Sequence, residues 1–411
     1  MSGRPPERTA ALAVALGGGA ALLALARVLV PPDVVAGLHL PAASDVFDPA
    51  FLERAEAYAR AARAWSWSSL GVSVVVACVL GFTRAGRALV GRLPGPWWCV
   101  VVLAVSLLAV VGRLATLPLG LGLHREQVRV GLSTQGTGAW LLDVARSVGV
   151  GVVITSLALL VLVGTARRLP RAWPVVAGGV LGLLVLGASF VYPLLVEPLF
   201  NDFEPLPPGQ LRTDVLDLAD QEGVNVDDVL VADASRRTTT LNAYVSGFGS
   251  TRRVVLYDTL VDDLPRDQAL SVVAHELAHA KHRDVVTGSV LGAVGVFAAV
   301  GLLGLLVGAL GRRTGVGMAD PRVVPLVLAL VAVGSLLASP LENAVSRRIE
   351  ARADADALAV TGDPGAFEAM QRRLAEKALA DPTPPAWSQW WFGSHPTALQ
   401  RIALARSLER D

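Results

Sequence analysis

The residues best suited to chemistry are His275-Glu276-Leu277-Ala278-His279. Two histidines four apart on a helix stand one turn above each other on one face, so both imidazoles can reach a single zinc ion. Glu276, adjacent in sequence, can then act on a water held beside that ion. A catalytic zinc takes three protein ligands and keeps a fourth position open, so one ligand must come from elsewhere. His282 shares the face, but on a straight helix it lies about 10 Å along the axis from His275, too far to join. The stretch Ser346-Arg347-Arg348-Ile349-Glu350-Ala351-Arg352-Ala353-Asp354 is a better source. It is alanine-rich and expected to be helical, which sets Glu350 and Asp354 a turn apart on one face. Glu350 can bind the metal while Asp354 accepts the outer N–H of a ligand histidine. By itself the stretch also reads as a solvated helix of arginines and acids; the HExxH motif is what favours the metal.

Positioning such a site falls to a chain that is mostly apolar. Of its 411 residues, 53% are hydrophobic and 17% charged, against about 25% charged in a soluble domain. Mean hydropathy is +0.52, so much of the surface must face lipid. A net charge of +1 offers no basic face to nucleic acid. Cys78 and Cys99 fall inside apolar stretches, away from the motif, and give neither a disulfide framework nor a thiolate zinc site. The basic residues are arginine except for Lys281 and Lys377. With the alanine, glycine and valine content, this points to a GC-rich bacterial genome and a plasma-membrane location.

Seven stretches approach the roughly 20 apolar residues a bilayer requires: about 10–30, 66–82, 97–117, 147–164, 173–195, 285–311 and 323–341. The first also fits a cleavable signal, but six further spans make a retained anchor the expectation. Glycine pairs Gly178/Gly182, Gly288/Gly292 and Gly304/Gly308 are spaced for close helix packing. The expected fold is mostly α, a polytopic membrane protein with a small α+β metalloprotease domain. Its divisions are a membrane region 1–196, a polar insert 197–284, two spans within 285–342 and a polar C-terminal segment 343–411. In the insert, Gln210 to Glu222 reads as a helix stopped by Gly223. Val229 to Ala232 reads as a strand. Thr238–Ser246 and Arg253–Tyr257 bracket a hairpin turn at Gly247-Phe248-Gly249-Ser250, and Pro265 opens the HExxH helix.

HExxH followed far downstream by ExxxD is the gluzincin arrangement, and its surroundings resemble the type I CAAX prenyl proteases. The resemblance is carried by Leu199-Phe200-Asn201-Asp202-Phe203-Glu204-Pro205-Leu206, Asn242-Ala243-Tyr244-Val245-Ser246, the run from Ser346 to Asp354, His395-Pro396 and Arg401-Ile402. Span number and motif order match as well. Ala280 stands where eukaryotic CAAX enzymes carry tryptophan, a departure that touches the substrate and not the zinc chemistry. The resemblance implies one zinc per chain and hydrolysis of a peptide or protein substrate, lipidated in the CAAX case, by zinc-activated water. Asn242-Ala243, on a strand, would hold the substrate backbone if that strand is an edge. His395 would stabilise the oxyanion, with Tyr244 helping, and Arg401 would orient His395 or contact substrate. Asn242 as a turn former and His395 as a cap of the last helix are the bland alternatives.

The short loops after spans two, four and six hold Arg84, Arg87 and Arg92; Arg167, Arg168 and Arg171; and Arg312 and Arg313, with Arg322 close by. The positive-inside rule makes these loops cytoplasmic, which sends 197–284 and the C-terminal segment outside. The CAAX resemblance implies the opposite side. A transporter, or a scaffold with a structural or vestigial zinc site, competes with the protease. The first is opposed by the absence of a run of intramembrane charges, the second by the absence of a fourth, thiolate-rich ligand set.

Overall fold

The computed structural model describes residues 6–247 and 252–408. The chain opens with α1 (Pro6–Leu29), α2 (Pro49–Phe82), the short α3 (Arg84–Val90), α4 (Trp97–Arg129), α5 (Thr137–Arg168) and α6 (Trp173–Leu195). There follow β1 (Phe203–Pro205), α7 (Gln210–Gln221), β2 (Asp228–Ala232), β3 (Ala243–Ser246), β4 (Arg253–Tyr257), α8 (Asp258–Asp263) and α9 (Arg266–Lys281). Two long helices, α10 (Asp284–Thr314) and α11 (Val324–Thr361), precede α12 (Pro364–Ala378), α13 (Ala386–Phe392) and α14 (Ala398–Leu408). Among the described residues seven helices are long and apolar enough to cross a membrane, one at each expected span. Of the expected hairpin turn, Phe248, Gly249 and Ser250 lie outside the described residues.

Three helices run well past their apolar stretches: α2 begins at Pro49, α4 continues to Arg129 and α11 to Thr361. Their polar ends carry glutamate and arginine, with alanine as well in α2 and α11, all good helix formers, so hydropathy ends where the bilayer would and the helix does not. Asp48 caps α2, its side chain accepting from Ala50 N at 2.7 Å, with Pro49 in the first turn. His124 lies in the part of α4 beyond the apolar stretch, buried and stacked on Trp140 with ring centroids 5.0 Å apart. The division between 342 and 343 likewise falls inside one helix, α11, which carries both the seventh span and Glu350.

Small residues bring α1 and α6 against α10. Gly178 and Gly182 approach Phe297 and Ala293, whereas Gly288 and Gly308 face open space. The closest approach is at Gly301, where a Cβ would strike the Ala15 backbone of α1. Gly301→Leu is expected to cost about 1–3 kcal/mol of stability by overpacking, read as a lowered thermal midpoint in detergent. An unchanged midpoint would mean that α1 is free to move off α10.

The sheet has the order β1-β2-β4-β3, with β2 and β4 parallel and both outer pairs antiparallel. Val229, Ala243, Val254 and Leu256 join one core with Leu260, Val273, Ala274 and Leu277 of α8 and α9. Leu230, Ala232 and Val255 form a second, smaller cluster with Phe203, Tyr244 and Tyr257. Alternation along the strands thus divides the sheet into a face toward α9 and a face away from it. The three-residue β1, with its proline, shows no alternation from which sequence could have placed it. At the opposite end of the bundle, where α11 begins, α3 packs on the turn at Pro321–Val323 and Arg167 reaches the Ala319 carbonyl at 2.9 Å. The arginine-rich loops meet there.

Candidate metal centre

α9 is enclosed on nearly all sides, which its small residues allow: Ala269, Ser271, Ala274 and Ala278 are buried with Val272, Val273 and Leu277. Helical spacing stacks His275 and His279 on the face toward α11. Their Nε2 atoms are 3.2 Å apart, and Glu350 of α11 brings Oε2 to 3.2 Å from His275 Nε2 and Oε1 to 3.6 Å from His279 Nε2. His275, His279 and Glu350 thus offer three ligand atoms that all lie within 4.8 Å of one another. His282 stands apart at the end of α9, paired with Asp356 at 2.5 Å.

The outer edges of both imidazoles are already committed. His275 Nδ1 is 2.9 Å from Asp354 Oδ1, and His279 Nδ1 is 2.9 Å from Asp284 Oδ2. Each Nδ1 therefore carries the proton, and each Nε2 turns a lone pair toward the other and toward Glu350. Glu350 Oε2 is buried without a hydrogen-bond donor. Three electron-rich atoms facing one point repel one another unless a cation lies between them. Burial opposes a charge on His275, yet Asp354 and Glu350 outweigh it and lift its pKa to about 9, so that without a metal a proton on Nε2 takes the cation's place. The pocket is thus built for positive charge at this point. Two nitrogens about 2.0–2.1 Å from a tetrahedral zinc would be about 3.3 Å apart, close to the spacing seen, so the residues fit a zinc ion.

Behind this layer stand two arginines. Arg401 of α14 embraces Asp354, its Nε at 2.8 Å from Oδ2 and its Nη2 on Oδ1, and Arg352 bonds Asp284. Asp354 is wholly buried, and Arg401 offsets the cost of burying it. Asp284 was not legible as a partner of His279. Five residues off the helix face, it is brought back only because Arg283 adopts φ 56 between α9 and α10, a left-handed conformation rare for a non-glycine residue. Asp354→Asn is expected to weaken metal affinity about 10–100-fold. It should also cost about 3–5 kcal/mol of stability, because a buried guanidinium loses its counter-charge. Metal titration and a thermal midpoint check both, and unchanged values would remove Asp354 from the centre.

Glu276 sits beside the cluster, half-buried. Among the described residues nothing hydrogen-bonds its carboxylate, and burial holds its pKa above the usual range. His395, in the loop between α13 and α14, places Nε2 3.3 Å from Glu350 Oε2, with Ser394 Oγ 2.9 Å from its Nδ1. That loop is tied to α11: Asn343 donates to the Trp391 carbonyl at 2.6 Å, and Arg347 to those of Gln389 and Gly393. Trp391 donates its indole N–H to the Leu336 carbonyl, so its ring packs on the seventh span.

β3 is an edge of the sheet. Tyr257 N donates to the Asn242 carbonyl at 3.0 Å, so the ladder's alternation turns the backbone groups of Ala243 and Val245 outward. The Asn242 side chain is exposed at that edge. Tyr244 is not with the metal cluster. Its ring packs on the sheet face away from α9, where burial and then the neighbouring Glu197 raise its pKa. The geometry thus corrects the expectation that Tyr244 helps at the oxyanion: its neighbour Ala243 faces α9, and strand alternation sends Tyr244 the other way. Arg401 is likewise occupied by Asp354 rather than by His395.

Comparison with known proteins gives two family matches. Residues 205–409 match the model described as "Peptidase family M48", and residues 37–202 match "CAAX prenyl protease N-terminal, five membrane helices". The "Uncharacterized metalloprotease YhfN" of Bacillus subtilis is 31% identical over 74% of this chain and 73% of its own length. A "CAAX prenyl protease 1 homolog" of Oryza sativa is 33% identical over 55% of this chain and 54% of its own. The crystal structure of S. mikatae Ste24p shares the fold, with a TM-score of 0.79 at 20% identity, covering 96% of this chain and 99% of that one.

Proposed function

The chain belongs to peptidase family M48 and is a multi-pass membrane metalloprotease, and from that premise we propose how its own residues do the work. His275, His279 and Glu350 hold one zinc ion per chain, with Asp354 and Asp284 orienting the two imidazoles. The observation that carries this is the convergence of both Nε2 atoms on a buried Glu350 oxygen that has no hydrogen-bond partner among the described residues. Bound there, zinc supplies Lewis acidity to the scissile carbonyl and to the attacking water.

The protein's part in the reaction is proton transfer and charge stabilisation. Glu276, ionised, takes a proton from the attacking water as its oxygen bonds to the carbonyl carbon, and passes that proton to the amine nitrogen as the C–N bond breaks. Ser394 Oγ–H, donating to His395 Nδ1, leaves the His395 proton on Nε2, directed toward the cluster. His395 then donates that N–H to the oxyanion of the tetrahedral intermediate. The outward N–H and C=O groups of Ala243 and Val245 pair with an extended substrate, which adds as a strand to β3, with Asn242 at its edge. In this reading the spans in 1–196 and 285–342 house working parts drawn from 197–284 and 343–411.

Its substrates are peptides or proteins. We propose that they include lipidated C-terminal segments, because the cluster stands at one end of a bundle of lipid-facing helices and because relatives carry the CAAX protease name. Purified protein should cleave a prenylated CAAX peptide faster than the same peptide without its lipid, lose that activity to a zinc chelator and regain it with added zinc. Chelator-resistant cleavage would overturn the zinc reading, and equal rates on both peptides the lipid preference. We also propose a bacterial plasma membrane with the cluster on its outer side, on the strength of the arginine-rich opposite end. A reporter joined after residue 411 that is active only in the cytoplasm should be silent; an active one overturns the orientation.

A further inference from the structure

Within its apolar stretch α4 carries a single charge, Arg113, about 24 Å along the helix axis from Trp97. Among the described residues the guanidinium pairs with no other charge. Among the described residues it has neither a hydrogen bond nor an ion pair, and it lines a cavity of about 550 Å³ between α2, α4, α5 and the start of α11. An ionisable side chain at membrane depth ordinarily has a partner or marks a site.

The cavity is polarised along its length. α2 and α4 run antiparallel, and Trp65 of α2 lies against Gly122 of α4. The same register brings Ser73 level with Arg113 and Ser69 a turn nearer the metal cluster. Neither serine hydroxyl has a partner among the described residues. Toward the arginine-rich end the walls become mostly apolar, with Leu80, Val105, Leu108 and Leu328 and the hydroxyl of Thr155 among them. A charged level about 24 Å across a core about 30 Å thick lies near the face where the metal cluster stands. The apolar part extends from there toward the middle of the bilayer. That is the orientation of a lipid in the leaflet on the metal-cluster side.

We propose that this cavity binds a single-chain anionic amphiphile, its head paired with Arg113 beside Ser69 and Ser73 and its chain among Leu80, Val105 and Leu328. Charge complementarity selects the anion, and the apolar walls select the chain. The site is separate from the proposed catalytic residues and does not depend on their assignment.

The test uses the full chain in neutral detergent, with oleate and oleyl alcohol as probes and native mass spectrometry as the readout. Wild type should bind oleate about tenfold or more tighter than the alcohol, as a charge-assisted contact would give. Arg113→Gln should erase that difference while zinc content stays the same, and Ala77→Phe, which fills the apolar part, should weaken both ligands. If the glutamine variant does not fold, the second variant still decides: unchanged oleate binding to Ala77→Phe places the ligand elsewhere. Equal affinity of wild type for both probes overturns the proposal. So does an Arg113→Gln variant that binds oleate normally but loses preference for a free peptide carboxylate over its amide, since the anion would then be the substrate's.

Discussion

Glu276→Gln is expected to keep its zinc and lose about 10²–10⁴-fold in the rate of peptide cleavage, the usual contribution of a positioned general base. The glutamine amide has the shape of the carboxylate but cannot accept the water proton. Nor should the exchange disturb the fold. Among the described residues no partner hydrogen-bonds Glu276, and burial already disfavours its charge, as the raised pKa records. A neutral isostere therefore fits the site at least as well as the native residue. Loss of activity would be a loss of chemistry, provided that zinc content and thermal midpoint match wild type. Cleavage at the wild-type rate by a zinc-loaded variant would show that another group moves the proton.

The second large effect is expected from Glu350→Ala. This change removes the one ligand that reaches the histidine pair from a different helix, leaving two imidazoles and no protein anion at the point where the lone pairs meet. Zinc affinity should fall by more than about 100-fold, beyond the 10–100-fold typical of an outer-layer partner, and cleavage should vanish with it. The contrast with Asp354→Asn separates the two carboxylates by role. Asp354 acts through His275 and is neutralised from behind by Arg401, so its amide should leave a weakened but measurable site. Equal loss in both variants would mean that Asp354 binds the metal directly.

How much of this could be read from the chain follows from the range of the signals involved. Hydrophobic runs located the seven spans, and helical spacing placed His275 with His279 and Glu350 with Asp354, because each is a short-range pattern. Hydropathy could not show that α11 carries the seventh span and Glu350 on one helix, since helix propensity persists where apolarity stops. Strand alternation separates Tyr244 from Ala243, but the parity is readable only once the sheet face toward α9 is known. Asp284 was illegible because it depends on one left-handed residue, Arg283. Arg401 could be singled out by its place after His395. Its partner Asp354 could not, because the two are joined only when α14 packs on α11.

The most direct test is the zinc content per chain of detergent-purified wild type measured beside Glu350→Ala and Glu276→Gln. About one zinc per chain is expected in wild type and in Glu276→Gln, and none in Glu350→Ala, matching a three-ligand catalytic centre with an open position. A folded wild-type protein without zinc would contradict the zinc centre, and an Glu350→Ala variant that keeps its zinc would place the third ligand elsewhere.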